Sequence, residues 1–194
     1  NLSRLFGDKT ALSPDYSFEG LKAGGSWRKK LRDHFVPKLP EMLPILDYAE
    51  SIGNEELTNQ MLVKETSSCR WMTEVNVRRL SEVIWGFLNT CLHDKAKEES
   101  EAADTLFGFD AWRRVVQHIW HGAKVRQGLL RKLVKSPPAI KSLEDVATGI
   151  TRFEGVMKAY TEAGGSPPVG QGLKNDFMDT LPETFREQLF HRFT

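Results

Sequence analysis

The fold is decided by the stretch VRRLSEVIWGFLNTCL, residues 77–92. Its apolar residues recur at intervals of three or four: Leu80, Ile84, Phe87, Leu88 and Cys91. An α-helix has 3.6 residues per turn, so this spacing puts all five side chains on one face. The stretch therefore predicts a long amphipathic helix over about residues 73–93, with its apolar side against a core.

The same periodicity recurs on both sides of this stretch. Trp27, Leu31 and Phe35 lie four apart and follow Ser26, a favourable N-cap residue. Three later segments repeat the pattern and are expected to face a core: Trp112, Val115, Val116, Ile119 and Trp120; Leu129, Leu130, Leu133 and Val134; and Val146, Ile150, Phe153 and Met157. No run of five residues shows the alternation of a strand, and neither Asn-Gly nor Asp-Gly occurs. The sequence therefore predicts an all-α fold.

Several segments interrupt the helical pattern. Pro14 and the later Gly24-Gly25 pair predict that residues 1–17 form a flexible lead-in. Residues 94–104, DKAKEESEAAD, carry no large apolar side chain and predict a solvated loop or helix end. Asp110 is expected to cap the next helix and Gly122 to close it, with another helix starting near residue 123.

The composition limits the class of protein. Hydrophobic residues make up 40% and charged residues 27%, so a globular fold is expected rather than disorder. The formal net charge of +1 gives the whole molecule little attraction for nucleic acid or membrane, and any such attraction must come from a local patch. Cys69 and Cys91 form no Cys-x-x-Cys pair, which fits a reducing compartment. No apolar run approaches the ~20 residues that span a bilayer. These features predict a cytoplasmic protein without a membrane partner.

Motifs for catalysis or cofactor binding are absent from the sequence. It contains no GxxxxGK[ST] phosphate loop, no HExxH metal motif and no GxSxG nucleophile elbow. His118 and His121 lie three apart on a predicted helix, as a pair of metal ligands would, but no carboxylate or cysteine lies near them in sequence. The alternative is two surface histidines near a helix C-terminus, where the helix dipole favours cations. We predict no enzymatic activity, no cofactor, no metal and no small-molecule substrate.

One charge feature stands out, because no acidic residue occurs between Asp110 and Glu144. Seven basic residues in this stretch are candidates for a surface that faces RNA or another polyanion: Arg113, Arg114, Lys124, Arg126, Arg131, Lys132 and Lys135. The alternative is a solvated helix face on which Lys and Arg stems cover apolar surface. The stretch lacks the interleaved aromatic residues that single-strand binders use for stacking.

The order of these blocks resembles the capsid region of Gag proteins from long-terminal-repeat retrotransposons and of domesticated Gag-like proteins. The resemblance starts at residues 18–35, FEGLKAGGSWRKKLRDHF, which look like the F-x-G element and Trp-bearing helix of such capsids. Residues 77–92 and 111–120 are similar to the middle and closing helices of the first capsid lobe. Three further segments are similar to helices of the second capsid lobe: VRQGLLRKLVK at 125–135, SLEDVATGITRFEGVMKAYTEAGG at 142–165 and LKNDFMDTLPETF at 173–185.

This resemblance implies two small helical bundles, one over residues 18–121 and the other over residues 122–194. It also implies a structural protein that associates with its own copies into virus-like particles around RNA. The major homology motif of retroviral capsids does not occur in the sequence, which favours a retrotransposon-type relative. The zinc-knuckle pattern that such Gag proteins often carry is also absent from residues 1–194.

An alternative function is a helical nucleic-acid-binding or adaptor domain without catalytic activity. Residues 111–135 have the length of two helices joined at His121-Gly122, in the manner of a helix-turn-helix. The two functions predict different experimental results. A capsid protein should form particles, whereas a nucleic-acid-binding domain should bind duplexes sequence-selectively.

Overall fold

The computed structural model describes the backbone of residues 6–192 and their side chains, except those of Asp8, Gln171, Lys174, Asp176 and residues 188–192. The α-helices are α1 (Asp8–Ala11), α2 (Gly24–Phe35), α3 (Met42–Ser51), α4 (Asn59–Glu65), α5 (Glu74–Cys91), α6 (Asp94–Glu101), α7 (Gly108–Lys135), α8 (Val146–Glu162), α9 (Gln171–Met178) and α10 (Glu183–Arg192), with one 3-10 helix at Pro14–Tyr16. Residues 6–192 contain no strand, which confirms the prediction of an all-α fold.

The chain divides into two compact units, Asn1–Gly122 (unit 1) and Ala123–Thr194 (unit 2). Helix α7 belongs to both, because it runs from Gly108 to Lys135 without a break. The sequence placed its division between residues 121 and 122.

The core of unit 1 is built on the predicted apolar stripes. Trp27, Leu31 and Phe35 of α2 are all buried, and so are the five residues that define the stripe of α5. Trp112 of α7 stacks on Trp27 with ring centroids 5.9 Å apart, and Phe35 meets Phe87 edge-on at 5.1 Å. Offset and edge-to-face arrangements of this kind add to the burial of apolar area.

A buried carboxylate joins three helices of unit 1. Glu50 of α3 is only 5% exposed and forms ion pairs with Arg28 and Arg32 of α2. Trp112 of α7 donates its indole N–H to Oε1 of Glu50 at 3.0 Å. A buried carboxylate needs such partners, because an unpaired charge in the interior is very unfavourable.

The start of α7 touches α5 through backbone. A Cβ atom added to Gly108 would lie 2.2 Å from the carbonyl oxygen of Ser81 and 2.3 Å from the amide nitrogen of Trp85. The neighbouring amide of Phe109 donates a 3.4 Å hydrogen bond to Ser81 Oγ. Only glycine allows this approach, so Gly108 fixes where α7 crosses α5.

The N-terminal segment differs from the flexible lead-in that the sequence predicts over residues 1–17. Residues 1–5 lie outside the described part of the chain, but Phe6 is 1% exposed and Ala11 is buried in the unit 1 core. Phe6 packs on Phe35 at 4.6 Å, and the indole of Trp27 donates to the carbonyl of Tyr16 at 2.8 Å. Proline and glycine broke the helical period here, but they did not prevent apolar side chains from packing.

Two local predictions in unit 1 are also corrected. Residues 94–101, predicted as loop or helix end, form α6, in which Ala96 and Ser100 supply the buried side. Ser26 lies inside α2 and donates to the carbonyl of Ala23 rather than capping the helix. Helix α4 begins at Asn59, where the Thr58 side chain accepts from the amide of Met61.

Unit 2 buries far less apolar surface than unit 1. Among the side chains of unit 2 that the structure describes, the buried apolar ones are Val134, Tyr160 and Leu181, and the rings of Phe153 and Phe177 meet at 5.3 Å. Ser142 does not cap α8. Its hydroxyl instead donates to the Asp145 carboxylate at 2.8 Å, and the helix starts after Asp145. None of the helices in the described part of the chain combines the length and apolar character that a bilayer span requires.

Candidate functional site

The candidate basic residues lie on α7, which is one continuous helix. The sequence predicted that Gly122 closes a helix, and the helix-turn-helix interpretation of residues 111–135 depended on that break. Both are wrong, because α7 continues through His121 and Gly122 to Lys135. A single glycine inside a helix costs only about 1 kcal/mol, and no proline follows to stop the helix. Gly122 also allows close packing, since an added Cβ would lie 2.7 Å from Cδ1 of Leu21.

Two of the seven candidate residues are engaged in unit 1. Arg113 is 4% exposed, donates from Nε to Asp110 at 2.6 Å and from Nη1 to the carbonyl of Gly53 at 2.6 Å. Arg113 therefore cannot face a polyanion, which corrects that prediction. Arg114 is half-exposed and donates to the other oxygen of Asp110 at 2.7 Å. Asp110 was expected to cap α7, but it lies in the first turn and holds these two guanidinium groups.

The remaining candidates lie in unit 2. Lys124, Arg131 and Lys135 are exposed and follow one another at intervals of seven and four residues. At 3.6 residues per turn these intervals place the three side chains within about 40° of one another around the helix axis. We call these three residues the basic row. Lys132 is also exposed and lies beside the row, whereas Arg126 is half-buried and lies on the opposite side of α7.

The basic row has no acidic partner in the part of the chain that the structure describes, where the salt bridges involve other residues. Unit 2 carries eleven basic and eight acidic residues, whereas unit 1 carries sixteen basic and eighteen acidic residues. The net charge of the whole chain is therefore small although unit 2 by itself carries a net positive charge. Unpaired cations along one face produce a local positive potential that attracts polyanions.

An apolar stripe on a different side of α7 from the basic row was missed by sequence reasoning. Leu129 and Leu133 were predicted to lie inside, but they are 58% and 41% exposed, and Val125 one turn earlier is 49% exposed. Of the four leucine and valine residues predicted inside, Val134 is buried and Leu130 is half-buried. We call Val125, Leu129 and Leu133 the apolar stripe of α7.

The sequence showed the apolar residues of this stripe, but it did not show that they are exposed. Apolar residues occupy Val125, Leu129, Leu130, Leu133 and Val134 of α7, which is a wider arc than one small bundle can cover. Which half of that arc is buried depends on where α8 and α9 pack, and periodicity alone cannot determine that.

The two histidines of α7 do not form a ligand set with other residues. His118 is half-buried and His121 is exposed. Among the side chains that the structure describes, no group of three or more from His, Cys, Asp and Glu is arranged to hold a metal ion.

No protein-family model, no curated protein and no solved structure matches this chain.

Proposed function

We propose that this chain is a non-catalytic, Gag-like capsid protein, of retrotransposon or domesticated origin, that associates with its own copies into virus-like particles around RNA in the cytoplasm. The observation that carries the proposal is the exposed apolar surface of unit 2. Among its described residues, unit 2 buries three large apolar side chains but exposes six: Val125, Leu129, Leu133, Leu143, Ile150 and Val169.

Exposed apolar surface of this kind favours association. Unit 1 exposes a similar number of large apolar side chains but buries 29 hydrophobic residues in one cluster. Unit 2 spans only residues 123–194, and a domain of that size gains little from its own core. Covering its apolar side chains by another copy would remove them from water at roughly 25 cal/mol per Å².

The contacts that such side chains form are small, which suits a multi-copy assembly. A stripe of three residues is far below the roughly 800 Å² per partner of a stable binary complex. Weak contacts become effective when many act together in a closed shell, because each further contact is then intramolecular. We therefore expect monomers or dimers in dilute solution and large assemblies at high protein concentration or high salt.

The basic row supports the RNA part of the proposal. Lys124, Arg131 and Lys135 span eleven residues of helix, or roughly 16 Å at 1.5 Å per residue. A straight row of unpaired cations contacts phosphates and does not select bases, because base recognition requires directional hydrogen bonds or stacking. Packaging of RNA without strong sequence preference needs only such contacts.

The test is direct observation of particles. Purified, RNA-free protein is examined by light scattering over a concentration and ionic-strength series, and concentrated samples with and without RNA are examined by negative-stain electron microscopy. We expect closed particles or regular assemblies above a threshold concentration. A protein that stays strictly monomeric in all these conditions, including with RNA, contradicts the proposal.

A further inference from the structure

Unit 2 contains an open cavity of about 300 Å³ between α8, α9 and the segment that precedes α8. Its apolar lining includes Leu133 near the end of α7 as well as Ile140, Phe153, Val156 and Phe177. The amide of Ile140 donates a 2.7 Å hydrogen bond to the carbonyl of Thr180, which holds the preceding segment in place. The volume lies at the lower end of the range for ligand sites and suits one or two side chains.

Glycine at position 149 is needed for this cavity to have its shape. A Cβ atom added to Gly149 of α8 would lie 2.4 Å from Cδ1 of Ile140. The segment therefore lies directly on α8, and Ile140 forms one wall of the cavity. The cavity is a built feature of unit 2 and not a gap between loosely placed loops.

The rim of the cavity is predominantly basic. Lys141 and Arg152 line it, both are exposed, and neither forms an ion pair with another residue in the described ranges. Asp145 also lies on the rim, where its carboxylate accepts a 2.8 Å hydrogen bond from Ser142 Oγ. An occupant that satisfies this site needs an apolar side chain for the floor and carboxylates for the two cations.

A turn in unit 1 has this chemistry. The amide of Phe107 donates a 2.9 Å hydrogen bond to the carbonyl of Asp104, which closes a turn between α6 and α7. Leu106 at the tip of this turn is 50% exposed, and Glu101 and Asp104 beside it are exposed acidic residues. We call residues 101–106 the leucine turn.

The backbone conformation of Leu106 is unusual for a leucine. Its φ is +67°, in the left-handed region where glycine is favoured and a leucine is strained. Glycine would form the turn at lower energy, and an exposed leucine side chain contributes nothing to the core of unit 1. Strained residues of this kind cluster at sites where the side chain has a function.

We propose that the leucine turn of one copy docks in the unit 2 cavity of a second copy. Leu106 enters the apolar floor, and Glu101 and Asp104 face Lys141 and Arg152. The contact joins two different surfaces of the chain, so head-to-tail repetition produces rings or open filaments, whereas a reciprocal pair of contacts closes a two-fold dimer. This inference rests on the proposed self-association and names the contact that carries part of it.

Charge reversal with mixing tests the contact. Variant A carries Glu101→Lys and Asp104→Lys, and variant B carries Lys141→Glu and Arg152→Glu. Each variant alone places like charges together, so the concentration needed for assembly should rise about tenfold or more, equivalent to about 1.4 kcal/mol. In an equimolar mixture, each contact between an A copy and a B copy pairs opposite charges, so alternating assembly should return close to the wild-type threshold.

A second variant tests the leucine separately from the charges. Leu106→Gly removes the apolar side chain and the left-handed strain, so the protein should unfold at the same or a higher temperature while its assembly threshold rises. Leu43→Ala is the matched control, because Leu43 is 42% exposed on α3 and lies outside the leucine turn. It should leave the assembly threshold unchanged.

The outcomes separate this contact from the proposed function. All measurements use RNA-free protein at one moderate ionic strength, and circular dichroism confirms that each variant is folded. If A, B or Leu106→Gly assembles like the wild type, or if the A and B mixture assembles no better than its components, the contact is wrong and self-association stands. If the wild type itself never assembles, the proposed function fails and this contact fails with it.

Discussion

The indole Nε1 of Trp112 donates a 3.0 Å hydrogen bond to Oε1 of Glu50, a carboxylate that is 5% exposed. The two residues are 62 positions apart, so this bond joins α3 to α7 across the core of unit 1. Arg28 and Arg32 approach the same carboxylate from α2. One side chain therefore sets the mutual placement of three helices.

Removing the carboxylate should strongly destabilise unit 1. Glu50→Ala leaves Arg28, Arg32 and the Trp112 indole without their common acceptor, and we expect a loss of about 2–4 kcal/mol, since breaking one side of a buried pair is costly. Urea unfolding followed by circular dichroism measures the change. Asp47→Ala is the control, because Asp47 is 56% exposed and pairs only with Arg32, so its loss should stay below about 1 kcal/mol. Equal effects of the two substitutions would contradict the central role of Glu50.

Two glycines of α7 should respond oppositely to alanine. Gly108→Ala places a Cβ about 2 Å from the α5 backbone and should destabilise the fold by about 1–3 kcal/mol or more, as overpacking does. Gly128 has no atom within 4 Å of an added Cβ and lies inside the helix. Gly128→Ala should therefore stabilise α7 by up to about 1 kcal/mol through helix propensity. Thermal unfolding of the two variants beside the wild type shows whether the signs differ.

His34 should make the fold sensitive to mild acid. Its Nε2 lies 3.0 Å from the carbonyl oxygen of Phe6, and its Nδ1 lies 3.3 Å from the Tyr16 hydroxyl. Burial lowers the pKa of His34 below its ordinary value of 6.5, although the bond to Phe6 acts in the opposite direction, and the nearby Lys38 ammonium lowers the pKa further. The folded protein therefore holds His34 neutral where the unfolded chain has begun to take up a proton.

The sign of the effect follows from linkage. Since the unfolded state binds more protons between the two pKa values, stability contributed by neutral His34 is present above about pH 6.5 and is lost as the pH falls toward the folded-state pKa. The urea midpoint of the wild type should fall from pH 7.5 to about pH 5, and His34→Gln should flatten this part of the profile. His93→Gln is the control, because His93 is exposed. An unchanged slope in His34→Gln would assign the acid sensitivity to other groups.

Neutralising the basic row should weaken RNA binding and its salt dependence together. Lys124→Gln, Arg131→Gln and Lys135→Gln in one variant remove up to three phosphate contacts. The slope of log affinity against log salt should then fall by about 2, at roughly 0.7 per contact for a single strand. Fluorescence anisotropy with a labelled RNA over a salt series gives the slope.

A matched control for the basic row exists in unit 1. Lys29, Lys64 and Arg79 are exposed and distributed over three helices, and their replacement by Gln removes the same charge. If both triple variants reduce the slope equally, binding depends on net charge alone and the row has no special role. The last turn of α7 also loses favourable interaction with the helix dipole in the first variant, so its helicity is checked by circular dichroism.

The apolar stripe should affect association without affecting the fold. Leu129→Ser and Leu133→Ser replace side chains that are 58% and 41% exposed, so unfolding should change by less than about 1 kcal/mol. The scattering threshold should rise, because these residues are proposed contacts between copies. Val134→Ala should instead affect the fold. Val134 is 1% exposed, so its truncation should lower the free energy of unfolding by about 2 kcal/mol. A Leu129 and Leu133 variant that assembles normally would remove the stripe from the proposal.

Part of the fold follows from the sequence because it depends only on local period. Spacings of three and four residues identified α2, α5 and the first half of α7, and their apolar faces are buried in the structure except at Trp120, which is 37% exposed. The stretch without acidic residues after Asp110 was likewise visible in the sequence. These features are properties of neighbouring residues, so they are determined before any packing occurs.

The tertiary structure determined which of these residues are buried. Arg113 was counted with the exposed cations, but a bond to the distant Gly53 carbonyl and burial against unit 1 remove it from the surface. Leu129 and Leu133 share the periodicity of core residues, but they are 58% and 41% exposed. Periodicity specifies a face of a helix, and only the placement of the other helices determines whether that face is buried or available to a partner.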